Sequence, residues 1–221
     1  MRRRAHAWEQ RLTEADRHPN DPILMEPGWA EARAEGTLQG LRMTADEFFD
    51  RPDDGYRYEL VEGVVVMSPS PRLRHQAVAM EIIRQINVFL TRRPIGQLLA
   101  ETDMHLGRAK GRDCVYRPEA LFMTAEHWAR AGDRLVGPPA LAVEVVSQGS
   151  RRYDRITKKA DYERFGILEY WLMDPERDAM TFWRLRAGRY VEIEPGGKRF
   201  AGEAIPGFVL DLAKVRKSFP R

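Results

Sequence analysis

Apolar residues recur between Leu73 and about Arg92 at Ala79, Ile82, Ile83, Ile86, Phe89 and Leu90. Steps of three and four place them on one face, so the spacing predicts an amphipathic helix. Pro94 and Gly96 stop it. Leu141 to Ser147 reads LAVEVVS, a near-continuous apolar run, and predicts a central strand covered on both faces. Leu168 to Met173 predicts another. Upstream, Tyr56–Glu62 and Val64–Ser68 flank Gly63 and read as a β-hairpin with Glu62-Gly63 at its tip. Thr44 and Glu47 form a capping box for the short helix ADEFFD. Gln97–Leu106 and Cys114–Met123 read as strands joined by the basic turn GRAKGRD, and a short polar helix follows around Ala125–Ala131. Ser150 caps a helix to about Phe165, which Gly166 closes. TFWRL, GRYVEIE and GFVLDL alternate like an antiparallel flank. This order predicts an α/β domain: a mixed sheet with helices packed on it.

Residues 1–40 read as an N-terminal extension, loosely attached. Helix-compatible stretches there are separated by the proline-rich HPNDPILMEPG, and their apolar stripe is weak. Residues 41–221 hold the main domain. With 221 residues, 43% hydrophobic and 31% charged, the chain can bury a core without staples. No run of about 18 apolar residues exists, which excludes a transmembrane helix. One cysteine, Cys114, excludes an internal disulfide and any multi-cysteine metal site. A cytoplasmic location is the expectation. The net charge of +3 does not by itself argue for nucleic acid. Only 6 of the 36 basic residues are Lys, so each lysine draws attention.

Glu144 stands alone in LAVEVVS. Burying an unpaired carboxylate in a sheet costs several kcal/mol, so it is paired, protonated or coordinating a cation. Glu119 follows a proline at the start of an apolar strand, either facing a cleft or ending a surface strand. Glu59 lies mid-strand with Arg57 and Val61 on its face, which can equally be solvated. Lys158 follows Asp154 by four residues on the helix after the Glu144 strand; it is either half of a surface ion pair or aimed at the strand end. Together, two or three carboxylates and one lysine fit a divalent-metal phosphodiesterase site. A carboxylate-pair glycosidase fits less well, because it leaves Lys158 without a role. Phosphate-loop, dinucleotide, zinc-protease and serine-elbow motifs are absent. Cys114 reads as an inert thiol, and His75 as a capping or polar surface residue. Arg151, Arg152 and Arg155, near a helix N-terminus, are candidates for holding a phosphate backbone.

The segments TADEFF, YELVEGVVVMSPSPRLRHQ, RPEALF, LAVEVVSQGSRRYDRITKKADYERFGILEYWLMDP and GFVLDL, in that order, resemble the Uma-two family of restriction endonuclease-like proteins. The family belongs to the PD-(D/E)XK nuclease superfamily, and the likeness covers about Leu41 to Val215. The resemblance implies a restriction-endonuclease-like core, a central mixed sheet flanked by helices. It also implies an acidic metal site made of Glu59, Glu119 (usually Asp in the family) and Glu144. The lysine of that site falls on Lys158 and not Lys159. The implied activity is Mg²⁺- or Mn²⁺-dependent hydrolysis of DNA phosphodiesters. Glu119 and Glu144 would ligate the metal, Lys158 would support the attacking water, and Glu59 would assist. A homodimer is a compatible partner state. The alternative is a catalytically silent nuclease-fold module that binds nucleic acid or a protein.

Overall fold

The computed structural model describes residues 37–68, 73–147 and 149–219. In chain order the elements are α1 (Ala45–Phe49), β1 (Arg57–Val61), β2 (Val64–Ser68), α2 (Leu73–Arg92), β3 (Gly96–Ala100), β4 (Met104–Ala109), β5 (Arg112–Tyr116), β6 (Ala120–Thr124), α3 (Ala125–Arg130) and β7 (Leu135–Val136). There follow β8 (Leu141–Val145), a π-helical turn (Tyr153–Lys158), α4 (Lys159–Phe165), β9 (Glu169–Asp174), β10 (Ala179–Arg186), β11 (Arg189–Glu192), β12 (Arg199–Ala201), β13 (Val209–Asp211) and α5 (Leu212–Lys217). They group into two compact units. The first comprises the described residues up to Ser68 and Asp103–Arg117; the second holds the rest.

In the first unit β2, β1, β5 and β4 lie side by side in that order. The β1–β2 hairpin pairs Arg57 with Ser68 and Val61 with Val64. Its turn needs two left-handed residues, Glu62 at φ 46 and Gly63 at φ 78. Glycine supplies the second at no steric cost. The expected capping box closes α1: Thr44 accepts from the Glu47 backbone, and the Glu47 side chain accepts from the Thr44 backbone. Leu38, Leu41, Phe48, Tyr58, Leu60, Val65 and Val115 form the core. Thr37–Gly40, expected within the extension, are buried here. Gly40 N–H donates to the Val65 carbonyl at 2.8 Å. The rest of that extension, residues 1–36, lies outside the described residues.

In the second unit a six-stranded sheet runs β11-β10-β9-β8-β6-β3. β8 and β9 are parallel, and every other pair is antiparallel. The expected mixed sheet with flanking helices is therefore present. All five β8 residues are buried, as a doubly covered strand requires. The two faces carry different cargo. Leu141, Val143 and Val145 join the apolar face of α2 (Val78, Ile82, Ile86) and the C-terminal aromatics Phe200 and Phe208. Glu144, on the other face, meets the helix that connects β8 to β9.

Three expectations need correction. The predicted strand Gln97–Leu106 breaks at Glu101, whose φ of 48 is incompatible with extended pairing. The predicted strand Cys114–Met123 breaks at Arg117–Glu119, where Pro118 has no N–H to give a ladder. The outer halves form β3 and β6 of the second unit, and the inner halves form β4 and β5 of the first. The predicted single helix from Ser150 to Phe165 contains the π-helical turn, in which the Lys159 N–H reaches back to the Asp154 carbonyl. Such turns often mark functional positions. Gly166 ends the helix as expected, left-handed at φ 87.

One ion pair of the second unit gives an acid-stability signature. Asp174, fully buried, accepts from Arg151 Nε at 2.7 Å and Nη2 at 3.1 Å. Burial pushes its carboxyl up, but the Arg151 hydrogen bonds and charge pull it down further, leaving it below the usual range. A folded value below the unfolded one adds stability above about pH 4, which is lost as pH falls through the folded value. Asp174→Asn is therefore expected to be less stable than the wild type at pH 7, with a gap that shrinks in acid. Urea midpoints at the two pH values check this; an equal gap at both would contradict it.

Candidate active site

The second unit places Glu144, Lys158 and Tyr162 in one buried cluster. Lys158 Nζ donates to Glu144 Oε1 at 2.8 Å, and Tyr162 Oη donates to the same oxygen at 2.7 Å. Asp154 Oδ1 stands 3.8 Å from the ammonium. Glu144, Asp154 and Lys158 are each no more than 5% exposed. Their placement follows from the chain path. β8 delivers Glu144 from the sheet, and the π-helical turn and α4 return over that face with Asp154, Lys158 and Tyr162 aimed inward.

The turn leading into the helix is tied down from inside. Ser147 N–H donates to Ser150 Oγ at 3.0 Å, and Ser150 Oγ–H donates to Asp154 Oδ2 at 2.8 Å. Tyr170 Oη donates to the Asp154 carbonyl at 3.1 Å. Ser150 thus orients Asp154, which faces Lys158. Lys159 takes a different direction, with its ammonium 5.5 Å from the centre of the Trp183 ring.

Glu119 stands at the entrance of β6. Ala120 pairs with Val143, so Glu119 and Glu144 sit one step beyond a paired rung on neighbouring strands. Beside Glu119 stands a residue that sequence reasoning assigned to a cap or the surface. His75, 8% exposed in the first turn of α2, places Nε2 2.6 Å from the Val145 carbonyl oxygen. The same nitrogen lies 3.3 Å from Glu119 Oε1. Gln76, next in the chain, donates to Glu101 at 2.8 Å. The signal for His75 was its place inside a recognised segment; nothing local distinguished it.

The remaining candidates divide. Glu59 belongs to the first unit. It is 1% exposed, which excludes a solvated face, and it accepts from the Arg117 backbone at 2.9 Å. Arg151 is engaged by Asp174 and by Glu176, the latter at 2.9 Å. Arg152 is exposed and Arg155 half-buried. Cys114 is a buried thiol.

Residues 45–213, which carry all of this geometry, match a family model described as "Uma2: Putative restriction endonuclease". The chain belongs to this family. A solved structure described as "a putative nuclease belonging to DUF820", from Anabaena variabilis, superposes with a TM-score of 0.65. The match covers 80% of this chain and 99% of that one at 18% identity, a likeness of fold. No curated protein matches. Among the described residues, no helix is long and apolar enough to cross a membrane.

Among the described residues, no three His, Cys, Asp or Glu side chains are grouped to hold a metal by themselves. The donors present suit a sparser site. Mg²⁺ is commonly held through one or two carboxylates and keeps several waters. Glu119 and Glu144 are oxygen donors of that kind, at the ends of neighbouring strands.

Proposed function

We propose that this Uma2 protein is a divalent-metal-dependent endonuclease that hydrolyses DNA phosphodiester bonds at the site formed by Glu119, Glu144 and Lys158. The observation that carries this reading is the buried 2.8 Å contact between Lys158 and Glu144. A sheet core that holds an ion pair gives up stability relative to apolar packing. Chemistry at that place supplies a reason for it.

Glu119 and Glu144 would hold Mg²⁺ or Mn²⁺. When bound, such an ion polarises the phosphate and lowers the pKa of a coordinated water. Lys158 donates hydrogen bonds toward the strand end and stabilises negative charge as it develops on the phosphate oxygens. Asp154, with Oδ2 fixed by Ser150, sits 3.8 Å from the ammonium and helps to aim it. Tyr162 donates to the same Glu144 oxygen and helps to orient the carboxylate. Arg151, Arg152 and Arg155 are the candidates for backbone phosphates, and Arg151 would have to share its guanidinium with Asp174 and Glu176. Cutting both strands of a duplex takes two sites, so a second copy of the chain is the implied partner.

The test is conversion of supercoiled plasmid to nicked or linear product. Cleavage is expected with Mg²⁺ or Mn²⁺, and none with EDTA or with Glu144→Ala. A second reading, a silent module that binds DNA or a protein, draws on one observation. Glu144 Oε1 is engaged by both Lys158 and Tyr162, as in a purely structural pair. Salt-sensitive DNA binding without cleavage under any metal would favour it.

A further inference from the structure

We infer that Lys158 is the resident cation of the Glu144 carboxylate: a divalent ion binds there in exchange for the ammonium, which turns onto Asp154. Lys158 thereby holds the metal affinity of the site down. The inference rests on the reading of Glu144 as a metal ligand.

Lys158 Nζ stands 2.8 Å from Glu144 Oε1 and 3.8 Å from Asp154 Oδ1. The first separation is a full charge-assisted hydrogen bond, and the second is a longer ionic contact. The ammonium therefore lies between two buried carboxylates and is committed to one of them. Asp154 is placed to receive it. Its Oδ2 accepts from Ser150 Oγ–H at 2.8 Å, and its Oδ1 is the oxygen on the lysine side. Closing that contact to a hydrogen bond takes a shift of about 1 Å, a small rotation for the flexible lysine stem. Tyr153, also buried, has its ring centre 5.3 Å from the same ammonium and favours a cation there. Tyr162 donates to Glu144 Oε1 at 2.7 Å, a neutral contact that brings no charge against an ion.

Two cations on one buried carboxylate oppose each other. Like charges repel most where the surroundings are least polar, and Glu144 and Lys158 are 3% and 5% exposed. The opposition is reciprocal: what the ammonium costs the ion, the ion costs the ammonium. In the metal-free protein the lysine compensates a carboxylate that would otherwise be buried alone. On exchange it is released from Glu144, a condition for donating to a phosphate. A lysine that serves folding only, or that orients Glu144 for the ion, behaves differently. Its removal leaves the metal affinity unchanged or lowers it.

Calorimetric titration of Mn²⁺ into the full-length wild type, Lys158→Met and the Glu144→Gln, Lys158→Met double variant tests the exchange. Lys158→Met is expected to bind Mn²⁺ about 5–150-fold tighter than the wild type, the usual span of coupling between two sites. The double variant should lose that gain. Asp154→Asn removes the second place for the ammonium and is expected to bind Mn²⁺ more weakly than the wild type. If Lys158→Met is too unstable to titrate, Lys158→Gln serves. Urea midpoints with and without Mn²⁺ then read the same affinity, because an ion that binds only the folded state stabilises it. Equal or weaker binding by the folded lysine variant overturns the exchange while leaving the metal site intact. A gain that persists in the double variant puts the ion elsewhere and also overturns it. Unchanged affinity in Asp154→Asn overturns the transfer to Asp154. Absence of Mn²⁺ binding in both the wild type and Lys158→Met defeats the metal-site reading itself, and this inference falls with it.

Discussion

Lys158→Met is expected to abolish DNA cleavage and to destabilise the protein at the same time. The ammonium lies 2.8 Å from Glu144 and 3.8 Å from Asp154, both of them buried carboxylates. Removing one member of a buried pair leaves an uncompensated charge and costs about 3–5 kcal/mol. Loss of a donor aimed at developing negative charge typically costs about 10²–10³-fold in turnover. The two effects must be separated, because a protein half unfolded at assay temperature also cuts poorly. Chemical denaturation gives the first, and single-turnover cleavage below the unfolding transition gives the second. A folded Lys158→Met protein that cuts normally would remove Lys158 from the mechanism.

The Glu144→Gln, Lys158→Met double variant is expected to regain most of the stability lost by Lys158→Met alone and to remain inactive. The logic is that of a coupled pair. Once position 144 carries a neutral amide, the group that faced the ammonium most closely no longer needs a cation. Its amide oxygen can still accept from Tyr162. Contacting residues commonly show coupling of about 0.5–3 kcal/mol, and a buried ion pair belongs at the upper end. Stability that returns without activity identifies a pair kept for chemistry. Single losses that simply add would mean that the contact contributes little to folding.

Much of this architecture was legible because it is local. The Thr44–Glu47 capping box, the 20-residue α2 and the apolar β8 run depend on spacing within one segment. The breaks at Glu101 and Arg117–Glu119 were not legible in the apolar pattern. Each interrupts a run that reads as one strand, and the two halves find partners in different units. Pro118 was visible, but a proline is compatible with either a strand start or a break. The π-helical turn was hidden as well, because Asp154 and Lys158 share a face in either kind of helix.

The site shows the same division. Glu144 stood out because a lone carboxylate in an apolar strand needs an explanation. Lys158 stood out as a scarce lysine four residues after an acid. His75 carried no such mark: its partner at Val145 is 70 positions away, a relation that only the folded sheet and helix create. Arg151 shows the converse, partners that the sequence did not reveal. An arginine at a helix start looks ready for phosphate, yet Asp174 and Glu176 already hold it.

The most direct test of the account is calorimetric titration of Mn²⁺ and Mg²⁺ into the purified protein, beside Glu144→Ala. The account predicts saturable binding to the wild type that disappears in the variant. If neither protein binds either ion, even with DNA present, the buried carboxylates and lysine are a structural ion pair and the nuclease mechanism is contradicted at its first step.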